Sequence, residues 1–395
     1  MASRKPIILF VVVILFIVYY LQDILYSGGS LISQLAILLF LLIGLFYYGK
    51  TAIYVHKPFF VTMWLIFYFV QAITFLFSPK EVFGTVYEAI GKASTLEQFK
   101  GISVFMLSFC MGYVISRKFG KLNENLFVYI GLAFFALAFV RYFYMLNTLL
   151  STLKVDAVTN NSGYFIVGAF PFLPFLLKRN KVFGFVLLIL SILLIMFAAK
   201  RGTIVCMLAA LFFSLMFYMK MNKASVKTFF ITLILLLGVS YLIYYAYESN
   251  EWLLARMEFM EDNGIGGRGL AYPILFGHWY NDTNFWTLMF GNGMAQSVTV
   301  WGNFAHNDWL ELLISNGAVG VILYLTIFIS MIKFLRNSSL SPIMRLSAYL
   351  CILIWFLQSI FSMGYTAISN AEYILLLGLI AGEEKVRIKT EKHNG

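Results

Sequence analysis

The chain has 395 residues, of which 61% are hydrophobic and only 12% charged, with a mean hydropathy of +0.85; a water-facing shell cannot cover so much apolar surface, and the protein belongs in lipid. A formal net charge of +11 would suit nucleic acid if the basic residues shared a soluble face, but they lie between apolar runs, which argues against that partner. Cys110, Cys206 and Cys351 all fall inside apolar segments without metal-ligand spacing, so neither a disulfide framework nor a zinc site is indicated.

Arg4 and Lys5 precede an apolar run from Pro6 to Leu21 with no small-residue cleavage pattern after it, which reads as a retained first helix. Runs of the roughly 17 to 25 residues needed to cross a bilayer fall at 6–25, 30–49, 58–78, 100–116, 125–146, 163–178, 181–198, 202–220, 226–247, 306–335, 343–362 and 368–383. They predict an all-α polytopic membrane protein with about twelve transmembrane helices. Most of the 29 basic residues fall in cytoplasmic loops if the N-terminus is cytoplasmic, and this bias predicts both termini inside. No repeat or linker divides the chain, so residues 1–395 read as one integral membrane domain, with a large external loop at 248–305.

A loop of that length is functional or has secondary structure of its own. Trp252, Leu253, Met257, Phe259 and Met260 alternate with Glu251, Arg256, Glu258, Glu261 and Asp262, which predicts a short amphipathic helix along the membrane surface. The pattern breaks at Gly264-Ile265-Gly266-Gly267, and Arg268 follows. Next comes the apolar segment Leu270 to Tyr280, where Trp279 and Tyr280 read as interface anchors and Pro273 is expected to interrupt helix. Phe290-Gly291-Asn292-Gly293 signals a turn, and the chain is expected to re-enter the bilayer at His306-Asn307-Asp308.

Lys200 and Arg201, in Ala199-Lys200-Arg201-Gly202, form a tight basic pair on the outside, against the charge bias that holds elsewhere. They read either as cations meeting lipid headgroups or as a clamp for a diphosphate, since a guanidinium grips phosphate oxygens with two parallel bonds. Arg268 stands between glycines that allow close backbone approach to a ligand, although an arginine in a loop is also an ordinary solvated residue. His306 has the side chain of a general base, or of a polar residue at the interface; His278 is its external rival, with anchoring neighbours. Arg141 lies within the outer half of the fifth span, where a charge suggests function or snorkels outward. Asp308 and Glu311, three residues apart on one helix face, suit orienting a ligand hydroxyl or capping the helix. No Asp-x-Asp pair occurs in an external loop and no metal-ligand cluster is visible, so an anionic group at this face would be met by arginines instead of a divalent ion.

The stretch from His306-Asn307-Asp308-Trp309-Leu310-Glu311 to Asn316-Gly317-Ala318-Val319-Gly320 resembles the signature of the O-antigen polymerase and O-antigen ligase superfamily. Phe290-Gly291-Asn292-Gly293 is similar to that family's glycine turn, Arg268 to its loop arginine, and Ala199-Lys200-Arg201-Gly202 to its arginine-bearing turn. The resemblance implies an all-helical, GT-C-like, metal-independent inverting glycosyltransferase with no cofactor, acting on glycans carried by polyprenyl diphosphate in the bacterial inner membrane. It implies that His306 assists the acceptor hydroxyl while Arg201 and Arg268 hold the diphosphate, with Lys200, Arg141, Asn307 and Asp308 as further substrate-binding groups. It also implies membrane lipids, a flippase and a chain-length regulator as partners. A polymerase joins one lipid-linked repeat unit to another, whereas a ligase moves the finished glycan to a different acceptor. A flippase of the same glycans is a further alternative, though flippases gather polar groups near the midplane.

Overall fold

A computed structural model describes residues 7–26, 30–83, 92–152, 160–198, 200–221, 238, 241, 244, 245 and 268–393. The apolar runs form helices because in lipid every backbone N–H and C=O must bond within its own segment. The first half of the chain contains α1 (Ile7–Tyr26), α2 (Leu31–Ile53), α3 (Phe59–Phe77), α4 (Thr95–Phe119), α5 (Glu124–Thr152), α6 (Gly163–Gly168), α7 (Leu173–Arg179), α8 (Lys181–Phe197) and α9 (Arg201–Met221). Polar residues at the boundaries set where they start. Ser30 accepts from Ser33 N at 3.1 Å to cap α2, and Asn180 accepts from Phe183 N at 3.1 Å to cap α8, each such cap contributing about 1 kcal/mol.

The second half contains α10 (Arg268–Tyr280), α11 (Phe285–Phe290), α12 (Gln296–Trp301), α13 (Asp308–Arg336), α14 (Pro342–Phe361) and α15 (Ala371–His393). Among the described residues seven helices are long and apolar enough to cross a membrane: α2, α3, α4, α5, α9, α13 and α14. The protein is thus an all-α membrane protein. The expected span at 226–247 lies almost wholly outside the described residues, as do the amphipathic helix expected at 251–262 and the glycine break at 264–267.

The structure corrects two local expectations and adds a strand pair. The span expected at 163–178 is broken into α6, a short 3-10 turn at Phe170–Phe172, and α7, because Pro171 and Pro174 lack an N–H and their rings clash with the carbonyls four residues back. Helix α10, by contrast, runs continuously through Pro273; only one intrahelical bond, to the Gly269 carbonyl, is forfeited there. The loop between α3 and α4 carries an antiparallel pair, β1 (Glu81–Phe83) and β2 (Lys92–Ser94), in the register Glu81 to Ser94 and Phe83 to Lys92.

Helix α4 is the most enclosed of the seven, and α15 lies along it. Gly112, Gly378 and Gly382 form the seam: a methyl group at any of them would collide with a backbone carbonyl oxygen of the partner helix, that of Leu375, Phe109 or Tyr113 respectively. Small residues at such a seam let two helices approach closely enough for van der Waals packing, which holds them together where lipid supplies no hydrophobic drive. Beside the seam, Trp64 of α3, Phe105 of α4, Phe328 of α13 and Trp355 of α14 are all buried and form one aromatic cluster, with the Phe328 and Trp355 rings 4.3 Å apart.

Candidate functional site

The start of α13 is fixed from several directions. Asn307 is its cap: Oδ1 accepts from Trp309 N at 3.0 Å and Leu310 N at 3.1 Å, while Nδ2 donates to the Ile360 carbonyl at 3.1 Å. Trp309 Nε1 donates to Ser359 Oγ at 3.0 Å, so the head of α13 is docked on the last turn of α14. The carboxylate of Asp308 is wholly inaccessible and accepts from Tyr324 Oη at 2.7 Å, Gly364 N at 2.9 Å and Tyr365 N at 3.2 Å. Those donors satisfy the buried oxygens and hold the turn that follows α14. Burial, and then the carboxylates of Asp308 and Glu311, push the phenol of Tyr365 in that turn well above its ordinary value.

Glu311, one turn into α13, is also fully buried. It accepts from Ala305 N at 3.2 Å and from Gln98 Nε2 of α4 at 3.3 Å, with the Ser297 and Ser315 hydroxyls beside it. Between the anchored Ala305 and the anchored Asn307 stands His306, half-buried, with a left-handed backbone of φ 49°. That conformation costs a residue other than glycine on the order of 1 to 3 kcal/mol and persists only where its surroundings impose it, most often at functional sites.

Below this turn α13 is interrupted at Gly317, whose φ of 63° and ψ of −161° break the ladder. The carbonyls of Ile314 and Ser315, left without helical partners, accept from Asn292 N at 2.8 Å and Gly293 N at 3.1 Å. The Phe290-Gly291-Asn292-Gly293 turn is thus bound into the helix break. Gly291 and Gly293 have φ of 77° and 100°, and a methyl at Gly291 would run into the Ser315–Asn316 peptide. Asn316 ties the break to α3, accepting from Gln71 Nε2 at 3.0 Å and donating to Thr74 Oγ1 at 2.7 Å. Non-helical backbone at membrane depth survives when it is buried and bonded in this way.

The basic pair joins the same end of the bundle. Lys200 precedes α9 and Arg201 is its first residue; the Lys200 carbonyl accepts from Thr203 N at 3.0 Å and Thr203 Oγ1 at 2.6 Å. Lys200 is half-buried with its ammonium 6.0 Å from the centre of the Tyr164 ring, and Arg201 is exposed. A methyl at Gly202 would collide with the Tyr164 hydroxyl and lie 3.3 Å from Phe361 Cβ. Phe361 follows Ile360, the residue that holds Asn307, so the basic turn and the His306 turn are docked on consecutive residues at the end of α14.

The remaining expected residues fall in different places. Arg141 lies on α5 with its guanidinium 4.7 Å from the Phe165 ring centre and 5.4 Å from that of Tyr20, contacts that stabilise by about 0.5 to 2 kcal/mol each. Arg268 is the first residue of α10, and its side chain lies outside the described residues. Leu275 of that helix packs in one apolar cluster with Ala305, seven residues and hence about 10 Å along the helix from Arg268. Asp308 and Asn307 spend their side-chain polar atoms on protein partners, and His278 is exposed on α10. Among the described residues no three His, Cys, Asp or Glu side chains cluster as metal ligands would. The sequence did not single out Gln98 or Tyr324, and gave Asn316 no role of its own; Gln98 and Asn316 bond across 213 and 245 residues, and Tyr324 reaches Asp308 of the same helix across 16.

The chain matches no family model and no curated protein.

Proposed function

We propose that the protein is a membrane glycosyltransferase that joins oligosaccharide repeat units carried on polyprenyl diphosphate, building an O-antigen or capsular polysaccharide. The observation that carries the reading is the His306 turn: a half-buried imidazole on a left-handed backbone, anchored on both sides, beside a turn that presents Lys200 and Arg201. In this reading the chain crosses the inner membrane of a bacterium twelve times in a GT-C-like arrangement, with both termini cytoplasmic and the 248–305 loop outside.

In the reaction, an acceptor hydroxyl oxygen bonds to the anomeric carbon of the donor sugar as the bond from that carbon to the diphosphate oxygen breaks. The hydroxyl proton passes to the His306 imidazole, a general-base contribution of about 10²- to 10⁴-fold. Arg201, Lys200 and Arg268 meet the charge that develops on the departing lipid diphosphate, so inversion at carbon needs one base and one cluster of cations. Asn307 and Asp308 shape the turn that carries the base, and membrane lipids, a flippase and a chain-length regulator are the expected partners.

The test is a surface-glycan gel of cells lacking the protein, complemented with wild type or His306→Ala. A polymerase predicts collapse to a single repeat unit on its acceptor in the null and His306→Ala cells, and a full ladder with wild type. Acceptor bare of any repeat unit, with finished polymer left on the polyprenyl carrier, would instead identify a ligase. An unchanged ladder in the null would exclude both.

A further inference from the structure

Glu311 stands at the fourth helical position of α13, yet beyond the neighbouring Ser315 hydroxyl neither of its oxygens caps a backbone N–H of that helix. The first-turn donors of Trp309 and Leu310 are taken by the Asn307 carboxamide, and Glu311 N itself donates to the Asn307 carbonyl at 3.0 Å. Its carboxylate reaches back past the cap to Ala305 N, the residue before His306. Its other oxygen is held by Gln98 Nε2 on α4, and α4 is in turn pinned by the glycine seam with α15. A helix cap does not require this arrangement. What it does is tie the residue before His306 to the most enclosed of the seven long helices, while Asn307 holds the head of α13 on Ile360.

We infer that Glu311 is a positioning residue: by holding the Ala305 N–H it imposes the left-handed backbone of His306 and so aims the imidazole at the acceptor hydroxyl. This rests on the reading of His306 as the base, but it is tested independently of it. With Ala305 N held by Glu311 and Asn307 held on Ile360, the backbone of His306 is constrained from both sides. Releasing Ala305 lets His306 relax to an ordinary conformation and redirects its side chain.

The readout is the rate at which His306 in purified protein is carbethoxylated by diethyl pyrocarbonate, followed by peptide mass spectrometry. The chain has four histidines, so His56, His278 and His393 serve as internal references. Glu311→Ala is expected to shift the His306 rate by about fivefold or more with the references unchanged, because a redirected side chain meets different neighbours and a different exposure. Glu311→Gln, which keeps an acceptor for the Ala305 N–H, is expected to stay close to wild type in His306 reactivity. A wild-type rate in Glu311→Ala, or equal shifts in Ala and Gln, would overturn the assignment. Should Glu311→Ala fail to accumulate, Gln98→Met carries the same test: a smaller shift in the same direction supports the inference, and no shift overturns it. Full-length polymer in His306→Ala cells would remove the base reading while leaving the reactivity result to stand by itself.

Discussion

Asp308 was expected among the substrate-binding groups, and its surroundings make a quantitative prediction about its part in stability. Oδ2 receives Tyr324 Oη at 2.7 Å, Gly364 N at 3.0 Å and Tyr365 N at 3.2 Å, while Oδ1 receives Gly364 N at 2.9 Å. Asp308→Ala leaves three buried donors without an acceptor, at about 1 to 3 kcal/mol each. Part of that is returned because a carboxylate no longer has to be buried, so the net loss is about 3 to 5 kcal/mol. Asp308→Asn can place its amide oxygen where Oδ2 stood and keep three bonds, but its NH₂ then faces the Gly364 N–H, a cost of about 1 to 1.5 kcal/mol. The assay is the temperature at which half of the detergent-solubilised protein leaves the monodisperse peak. The reasoning predicts a large drop for Ala and a small one for Asn. Two variants as stable as wild type but unable to bind lipid-linked glycan would refute it and return Asp308 to the substrate.

Arg201→Lys keeps the charge but not the paired geometry, and is expected to lower glycan transfer by about tenfold or more; wild-type transfer would reduce Arg201 to a headgroup contact. Gly317→Ala puts a side chain on a φ of 63° and against the Met289 carbonyl, a loss of about 2 kcal/mol or more read as thermal stability; an unchanged melting profile would mean the helix break is not fixed as described. Gly378→Leu should separate α4 from α15 and prevent accumulation of folded protein, because its side chain would occupy the place of the Phe109 carbonyl. Normal accumulation would show that the seam is not close-packed.

Helix placement was largely legible because the membrane enforces a single local rule. Any long apolar run must close its own hydrogen bonds, so α2, α3, α13 and α14 fall within a few residues of the runs that predict them. Departures arise where side chains override that rule: Pro171 and Pro174 break a run that hydropathy reads as one helix, and Pro273 fails to break another in its middle. In the site, the His306-Asn307-Asp308 turn and the glycine turn at Gly291–Gly293 are visible as local motifs. Their meeting is not, because it depends on carbonyls released by the Gly317 break and on Gln98, whose bond to Glu311 spans 213 residues. Sequence also identifies a carboxylate without saying where it points: Asp308 and Glu311 share a helix face as expected, and that face turns inward.

The most direct test of the central claim is transfer by purified protein in proteoliposomes supplied with one lipid-linked repeat unit as both donor and acceptor. A ladder of longer lipid-linked glycans and free polyprenyl diphosphate is expected with wild type, and neither with His306→Ala at equal protein. A ladder of wild-type length from His306→Ala would contradict it.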